Sequence, residues 1–204
     1  MPYDILPLDE IRLILKESGL PNFIDIEFPP VESSIYNTRD GVKPFAKERI
    51  VWKRPKDFML VDEDQGLLPP QVFQKQIEPN DIKQGILGDC WFMCALSSLA
   101  EMPLLVERLF ITKTYNEDGL YRVKLCKNGE WVEVTLDDYF PCSETGGPIF
   151  SRSNGNELWV LLLEKAYAKL HGNYFTLRGG FAVEGMIDLT GSPTELFDFE
   201  EPSC

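Results

Sequence analysis

A β-hairpin is the most sharply specified element of this 204-residue sequence. Apolar and polar residues alternate over residues 121–125 and again over residues 132–136, and the dipeptide Asn128-Gly129 lies between the two runs. Asn-Gly is typical of the tight primed turn that joins two antiparallel strands. Helical patterns precede and follow the hairpin, so the sequence predicts an α+β fold that is rich in helices.

Apolar residues recur at helical spacing in several segments. The predicted helices cover about Leu8–Ser18, Asp89–Met102, Leu104–Phe110, Asn156–Leu170 and Ala182–Leu189. Gly19 is expected to end the first of them. In the segment that ends at Leu170, leucines and an alanine repeat every four residues, so Glu164, Lys165 and Lys169 are expected to face water.

The stretch from Pro21 to Lys47 has no apolar period and is interrupted by Pro, Asn, Asp and Gly. We therefore expect an extended arm that wraps the surface of a domain. The predicted organisation is an N-terminal helix and arm at residues 1–47, followed by one subdomain at residues 48–204. The acidic run Asp62-Glu63-Asp64 is expected to form a solvated turn.

Twenty Lys and Arg residues stand against 33 Asp and Glu residues, which gives a formal net charge of −13. Such a surface repels a phosphate backbone, so no nucleic-acid partner is expected. It suits a cationic partner or a divalent cation such as calcium. The sequence has no apolar run long enough to span a membrane and no recognisable signal peptide. Five irregularly spaced cysteines indicate reduced thiols, and we expect a cytoplasmic protein.

One cysteine has the local setting of a nucleophile. Cys90 stands at the predicted start of a helix, after a loop flanked by Gly85 and Gly88. A helix N-terminus favours the reactive thiolate, and the amide of Gln84 could stabilise an oxyanion. Asp89 is a plausible cap for this helix. From spacing alone, the alternative is a buried structural cysteine.

The other cysteines carry no comparable signal. Cys94, one helical turn after Cys90, is expected in the core, and Cys126, Cys142 and Cys204 have no suggestive neighbours. Cys90 and Cys94 have a CxxxC spacing, but there is no second matching pair and only one histidine. A zinc site is therefore not expected.

Several segments together resemble the calpains, the papain-like, calcium-dependent cysteine proteases. The segment that runs from Gln84 through Gly-Ile-Leu-Gly-Asp to Cys90-Trp91-Phe92 resembles their nucleophile segment. The other matching segments are Trp52-Lys-Arg-Pro55, Glu157-Leu-Trp159 through Leu170, Gly179-Gly180 through Glu184-Gly185, and Asp188-Leu-Thr-Gly191. The resemblance implies a papain-like half-core, the first subdomain of the protease core.

The resemblance implies a role for particular residues. Cys90 would be the nucleophile, and the side chain of Gln84 would form the oxyanion hole with the Cys90 backbone N–H. Trp91 and Gly88 would line the substrate cleft, although Trp91 also suits a core position. The implied partners are protein substrates.

Calpain cores bind calcium in this subdomain, and the matching carboxylates here are Asp81 and Glu184. Main-chain carbonyls near Gln74 and Gln76 would supply further oxygen ligands, as calcium requires. Calcium would order the loop around Asp81. The alternatives are a turn cap for Asp81 and a solvated charge for Glu184.

The general base is the missing part of this pattern. In papain-type enzymes the catalytic His and Asn follow the cysteine by about 130–150 residues, whereas 114 residues follow Cys90 here. The single histidine, His171, is expected to be a non-catalytic residue at a helix C-terminus. The second core subdomain is therefore expected to be absent from this chain.

Three functions follow from these observations. The first is a calcium-dependent intracellular cysteine endopeptidase, with this chain holding the nucleophile half of the site. The second is a catalytically inactive calpain-like module or truncated regulator that binds calcium or protein. The third is a structural α+β domain with Cys90 in its core. Besides substrates, the missing second subdomain or a full-length homologue would be a partner.

Overall fold

The secondary structure follows the helical and hairpin patterns closely in this computed structural model, which describes residues 4–41, 43–59, 69–74, 76–195 and 197. The helices are Leu8–Ser18 (α1), Pro55–Phe58 (α2), Cys90–Ala100 (α3), Pro103–Arg108 (α4), Trp159–His171 (α5) and Ala182–Thr190 (α6). The strands are Ile50–Lys53 (β1), Ile82–Lys83 (β2), Tyr121–Lys127 (β3), Glu130–Leu136 (β4), Phe140–Ser143 (β5) and Arg152–Ser153 (β6). The α+β prediction is confirmed.

The turn residues have the backbone angles that their identities predict. Asn128 and Gly129 join β3 to β4 with φ angles of 53° and 81°, so both occupy the left-handed region that a primed hairpin turn requires. Tyr121 pairs with Leu136 at the open end of this hairpin. At the end of α1, Gly19 has a φ of 67° and stops the helix as predicted.

The remaining strands pair across long stretches of chain. β1 pairs with β5 and β2 pairs with β6, both antiparallel. The β2–β6 pair is short, but it joins the residues just before the Cys90 loop to the residues just before α5. Among the described residues, no helix has the length and apolar character needed to cross a membrane.

Helix α5 is the centre of the core. Every residue from Trp159 to Lys169 is buried, and Phe92 of α3 stacks on Tyr167 with ring centroids 4.2 Å apart. The hairpin and α6 complete the packing around it through residues such as Val123 and Leu189. A helix that is buried on all sides holds the surrounding elements at fixed positions.

The expectation that Glu164, Lys165 and Lys169 face water is wrong. All three side chains are buried, and the two lysines form ion pairs in the interior. The Nζ atom of Lys165 pairs with Asp137, and the Nζ atom of Lys169 lies 2.7 Å from a carboxylate oxygen of Asp25. These partners offset the large cost of burying a charge.

The segment from Pro21 to Lys47 contributes to the core as well as to the surface. Phe28, Ile35 and Tyr36 are buried in the same hydrophobic cluster as α3 and α5. The backbone N–H of Phe175 donates to the carbonyl oxygen of Ile35 at 2.8 Å. Packing therefore continues across residue 47. The predicted division of the chain at this residue stays a prediction. The acidic run at residues 62–64 lies outside the described residues.

Candidate active site

The predicted nucleophile occupies the first residue of a long helix. Strand β2 ends at Lys83, a loop covers residues 84–89, and α3 begins at Cys90. Cys90 and Gln84 are both exposed. The thiol is therefore accessible at the helix end whose free N–H groups favour negative charge.

The first half of this loop is fixed by close backbone packing. A Cβ atom added to Gly85 would lie 1.6 Å from the carbonyl oxygen of Phe150 and 2.2 Å from that of Ile149. The next residue, Ile86, donates its backbone N–H to the Ile149 oxygen at 3.0 Å. No residue larger than glycine fits at position 85 without moving the backbone.

The second half of the loop is held by a glycine segment before α6. The backbone N–H of Gly179 donates to the carbonyl oxygen of Gly88 at 3.2 Å, and Gly88 has a φ of 83°. The indole Nε1 of Trp91 donates to the carbonyl oxygen of Leu177 at 2.8 Å. A Cβ atom on Gly180 would lie 2.6 Å from the Trp91 ring, so the ring lies directly against this segment.

Asp89 occupies the N-cap position, but its side chain makes no capping hydrogen bond; the expected side-chain cap is absent. Its main-chain oxygen accepts from the N–H groups of Phe92 and Met93, while its buried carboxyl group lies beside that of Glu164 of α5. Its Oδ2 atom has no hydrogen-bond partner among the described residues. The Glu164 carboxyl also accepts from the N–H and the hydroxyl of Ser151, at 2.9 and 2.8 Å.

The environment of this carboxyl pair opposes ionisation. Burial raises the pKa of Asp89, and the neighbouring carboxyl group of Glu164 only partly offsets this effect. Burial and the neighbouring Asp89 hold the pKa of Glu164 well above its usual range. One proton shared by the pair would allow a hydrogen bond that two carboxylates could not make. The residue before Cys90 is thus anchored to the central helix.

Sequence reasoning missed Glu164 as a partner of the loop. The available signal was the composition of α5, since apolar residues lie on all its faces in the run from Trp159 to Ala168. A helix that is apolar all round is buried, and polar residues within it then need interior partners.

The cysteines differ in accessibility, and one prediction about them fails. Cys94 is exposed, as Cys90 is, because residues four apart share one face of a helix; the expectation of a core position was wrong. Cys126 and Cys142 are buried, and burial raises the pKa of the Cys142 thiol to about 12. Cys204 lies outside the described residues.

His171 is the last residue of α5, in agreement with its predicted position. Its Nδ1 lies 2.8 Å from the carbonyl oxygen of Tyr167, and its Nε2 lies 2.8 Å from Nζ of Lys127. A carbonyl only accepts and an ammonium only donates, so Nδ1 carries the proton and Nε2 accepts. Burial, followed by the nearby Lys127 charge, lowers the pKa of His171. Both ring nitrogens are therefore engaged in structural contacts.

The two predicted calcium ligands lie on separate elements. A carboxylate oxygen of Asp81 accepts from the backbone N–H of Glu78 at 2.8 Å, which supports the turn-cap alternative. Glu184 is exposed on α6 and lines a cavity of about 330 Å³ beside Trp91. In the ranges that the structure describes, no three His, Cys, Asp or Glu side chains form a metal-binding group.

Calcium takes six to eight oxygen ligands, so two carboxylates would need main-chain carbonyls and water beside them. The backbone N–H of Gln74 donates to Glu157 at 2.8 Å, and Gln76 is exposed. The role of Asp81 and Glu184 as calcium ligands stays a prediction.

Comparison with known proteins identifies the family. The model of the calpain family cysteine proteases matches residues 23–203. Calpain-type cysteine protease ADL1 of Oryza sativa subsp. japonica is 43% identical over 197 residues, which cover 95% of this chain. Calpain-type cysteine protease DEK1 of Zea mays is 42% identical over 198 residues, again 95% of the chain. Calpain-10 of Rattus norvegicus is 36% identical over 186 residues, or 88% of the chain.

The relatives are much longer than this chain. The matched region spans 9% of the rice and maize proteins and 26% of rat calpain-10. The family match covers both the segment around Cys90 and the helices that hold it. This chain belongs to the calpain family of cysteine proteases.

Proposed function

We propose that this chain carries the nucleophile half of a cysteine endopeptidase site. The thiolate of Cys90 attacks the carbonyl carbon of a peptide bond in a protein substrate. The observation that supports this most directly is the exposed thiol at the first residue of α3, after a loop that is packed on both sides.

The negative charge that develops on the substrate oxygen needs donors that are already in place. In this proposal they are the side-chain amide of Gln84 and the backbone N–H of Cys90. The tight fit of Gly85 against residues 149–150 supports the proposal, because it limits movement of the loop that carries Gln84. A preorganised loop avoids reorganisation during the reaction.

The leaving amine then receives a proton as its C–N bond breaks, and water hydrolyses the resulting thioester. In this proposal the imidazole that supplies this proton comes from outside this chain. His171 is not proposed for that role, because Lys127 and the Tyr167 carbonyl occupy both of its ring nitrogens.

We also propose that calcium regulates the site through Asp81 and Glu184, with no part in the bond-breaking steps. Both elements that carry these carboxylates pack against α3. A calcium ion bound by both carboxylates would connect two elements that each contact the helix that begins with Cys90. This regulatory part is separable from the proposed catalytic role.

Alkylation of the purified chain tests the proposed nucleophile. Cys94 is an internal control, since it is exposed on the same helix one turn later. We expect iodoacetamide to label Cys90 about tenfold faster than Cys94. The reason is that Cys90 is the first residue of α3, where free N–H groups stabilise negative charge, whereas Cys94 lies a full turn inside the helix. Peptide mass spectrometry resolves the two sites, and Cys90→Ser verifies the assignment.

Equal labelling rates of the two exposed thiols would contradict the proposal. That result would instead favour a calpain-like module that binds protein without its own covalent chemistry. The buried Cys126 and Cys142 should stay unlabelled in the native chain, which verifies that the chain is folded during the assay.

A further inference from the structure

A groove of about 820 Å³ lies along the short β2–β6 pair, and its lining includes three cationic side chains and two carboxylates. Lys53, Lys83 and Arg152 line it together with apolar side chains that include Phe58 and Leu161. We call this surface the basic groove. Its position is notable because Lys83 directly precedes Gln84, the proposed oxyanion donor.

Two of these cations face each other across the β2–β6 ladder. Lys83 and Arg152 are direct register partners, and like charges directly opposite in a sheet are destabilising. Both residues are exposed. None of the ion pairs found among the described residues includes either of them. In a chain with a net charge of −13, two adjacent cations without a carboxylate partner are unexpected.

The third cation adds to this local excess. Nζ of Lys53 donates to the main-chain oxygens of Glu144 and Gly146, at 3.0 and 2.8 Å. Carbonyl groups satisfy its hydrogen bonds but do not neutralise its charge. Lys53 forms no ion pair among the described residues. Its positive charge therefore adds to the charges of Lys83 and Arg152 in the groove.

The acidic residues that line the groove have other partners. Asp57 accepts from the backbone N–H of Arg54 at 3.1 Å. Glu157 is 4% exposed and accepts from the backbone of Gln74 and from the indole of Trp159. The hydrogen bonds of both carboxylates are thus made to residues other than Lys83 and Arg152.

We propose that the basic groove binds an acidic segment of the protein substrate, whose Asp or Glu carboxylates pair with Lys83 and Arg152. This inference rests on the proposed function and names the kind of substrate that the site prefers. A polypeptide fits better than a free anion, because the groove has a volume of about 820 Å³ and its lining includes the apolar side chains of Phe58 and Leu161. Arg152 can bind a carboxylate through two parallel hydrogen bonds, and Lys83 acts as a point charge beside it.

Binding can be tested apart from catalysis with the Cys90→Ser chain. The probes are short fluorescein-labelled peptides: one rich in Asp and Glu, one with Asn and Gln at the same positions, and one with phosphoserine there. Fluorescence anisotropy should give about tenfold tighter binding of the acidic peptide than of the amide peptide. This preference should weaken as NaCl rises from about 50 to about 300 mM. Because the whole chain is strongly negative, general attraction cannot produce this preference.

Matched variants locate the binding. Lys83→Gln with Arg152→Gln should remove the preference for the acidic peptide, whereas Lys16→Gln, the loss of one exposed cation on α1, should leave it intact. The double variant should melt at the wild-type temperature or above it, because a repulsive pair is removed. This melt verifies that any loss of binding is not a loss of folding.

Three results would overturn the inference: equal affinity for the acidic and amide peptides, an unchanged preference in the double variant, or a preference for the phosphopeptide alone. The last result would replace an acidic segment with a phosphorylated one. Failure of the proposed function is a separate outcome, since it appears as an unreactive Cys90 in the wild-type chain. If Cys90 is reactive but the chain shows no preference for the acidic peptide, the inference about the basic groove fails and the proposed nucleophile stands.

Discussion

The carboxyl group of Asp89 lies beside that of Glu164, and both are buried next to the first residue of α3. Two carboxylates at this distance would repel each other, whereas one protonated carboxyl group could donate a hydrogen bond to the other. Glu164 is also fixed by two hydrogen bonds from Ser151. The pair thus links the loop that ends before Cys90 to the central helix and to the segment after β5.

This pair makes stability depend on pH in a definite direction. Burial raises the pKa of both carboxyl groups in the folded chain, so the folded chain holds protons that the unfolded chain releases. Carboxyl groups in the unfolded chain have pKa values of about 4. Stability from this source is therefore fully present below that pH. It is lost as pH rises through the folded-state pKa values.

Glu164→Gln should therefore flatten the pH dependence of the free energy of unfolding. The glutamine amide can donate to Asp89 while its oxygen accepts from Ser151, so the geometry is kept without a second ionisable group. Urea unfolding between about pH 5 and 8 measures the slope. Glu10→Gln, on the exposed first turn of α1, is the control. An unchanged slope in Glu164→Gln would mean that the pair does not hold the proton.

Replacing Gly85 by Ala should damage the nucleophile loop. The new Cβ atom would meet the carbonyl oxygens of residues 149 and 150, which are backbone atoms that cannot rotate away. We expect a loss of roughly 2–4 kcal/mol in the free energy of unfolding. Labelling of Cys90 should also lose its advantage over Cys94.

Gly147→Ala is the matched control for this change. A Cβ atom there would lie 4.0 Å from Phe58, an ordinary contact distance, so stability should change by less than about 0.5 kcal/mol. If Gly85→Ala were tolerated equally well, the close packing of the loop would not be a constraint on the site.

The parts of this structure that depend on local sequence were predictable. The hairpin turn, the end of α1 at Gly19 and the start of α3 near Cys90 each follow from neighbouring residues. The helical period predicts which residues share a face but not which faces are covered. The exposed position of Cys94 shows this limit, since its apolar neighbours on α3 are buried.

The interior polar residues were not predictable from local patterns. Lys169 pairs with Asp25, which is 144 positions away in the chain. Asp89 and Glu164 are also far apart in the chain, and they lie together where Phe92 of α3 stacks on Tyr167 of α5. A charged residue on a helix is expected in water unless its partner is known. Such partners appear only when the tertiary structure brings distant segments together.

Lys169→Met tests how strongly one such pair holds the N-terminal arm to the core. Removal of the ammonium leaves the buried Asp25 carboxylate without its partner, which should cost about 3–5 kcal/mol in the free energy of unfolding. Lys16→Met at an exposed position should change it by less than about 0.5 kcal/mol. Chemical unfolding at neutral pH compares the two.

The same variant should show a characteristic pH dependence. Burial already raises the pKa of Asp25, and Lys169 is the largest influence that lowers it, so the substitution should raise this pKa further. Stability is then lost as pH rises, and the penalty should be smaller near pH 4 than at neutral pH. Asp25→Asn combined with Lys169→Met should recover much of the loss. A penalty that is independent of pH would indicate lost packing rather than an unpaired charge.

The calcium proposal predicts a thermal shift that depends on two carboxylates. Calcium that binds only the folded chain raises the melting temperature by mass action. We expect this rise in the wild-type chain, and a reduced rise in Asp81→Asn and in Glu184→Gln. Asp81→Asn keeps an oxygen that can accept from the N–H of Glu78, so its melting temperature without calcium should be close to that of the wild type.

Glu10→Gln should retain the full calcium response. Magnesium prefers a stricter octahedral site, so it should produce a smaller rise in melting temperature. A calcium shift that persists unchanged in the double variant Asp81→Asn, Glu184→Gln would exclude these carboxylates as the ligands.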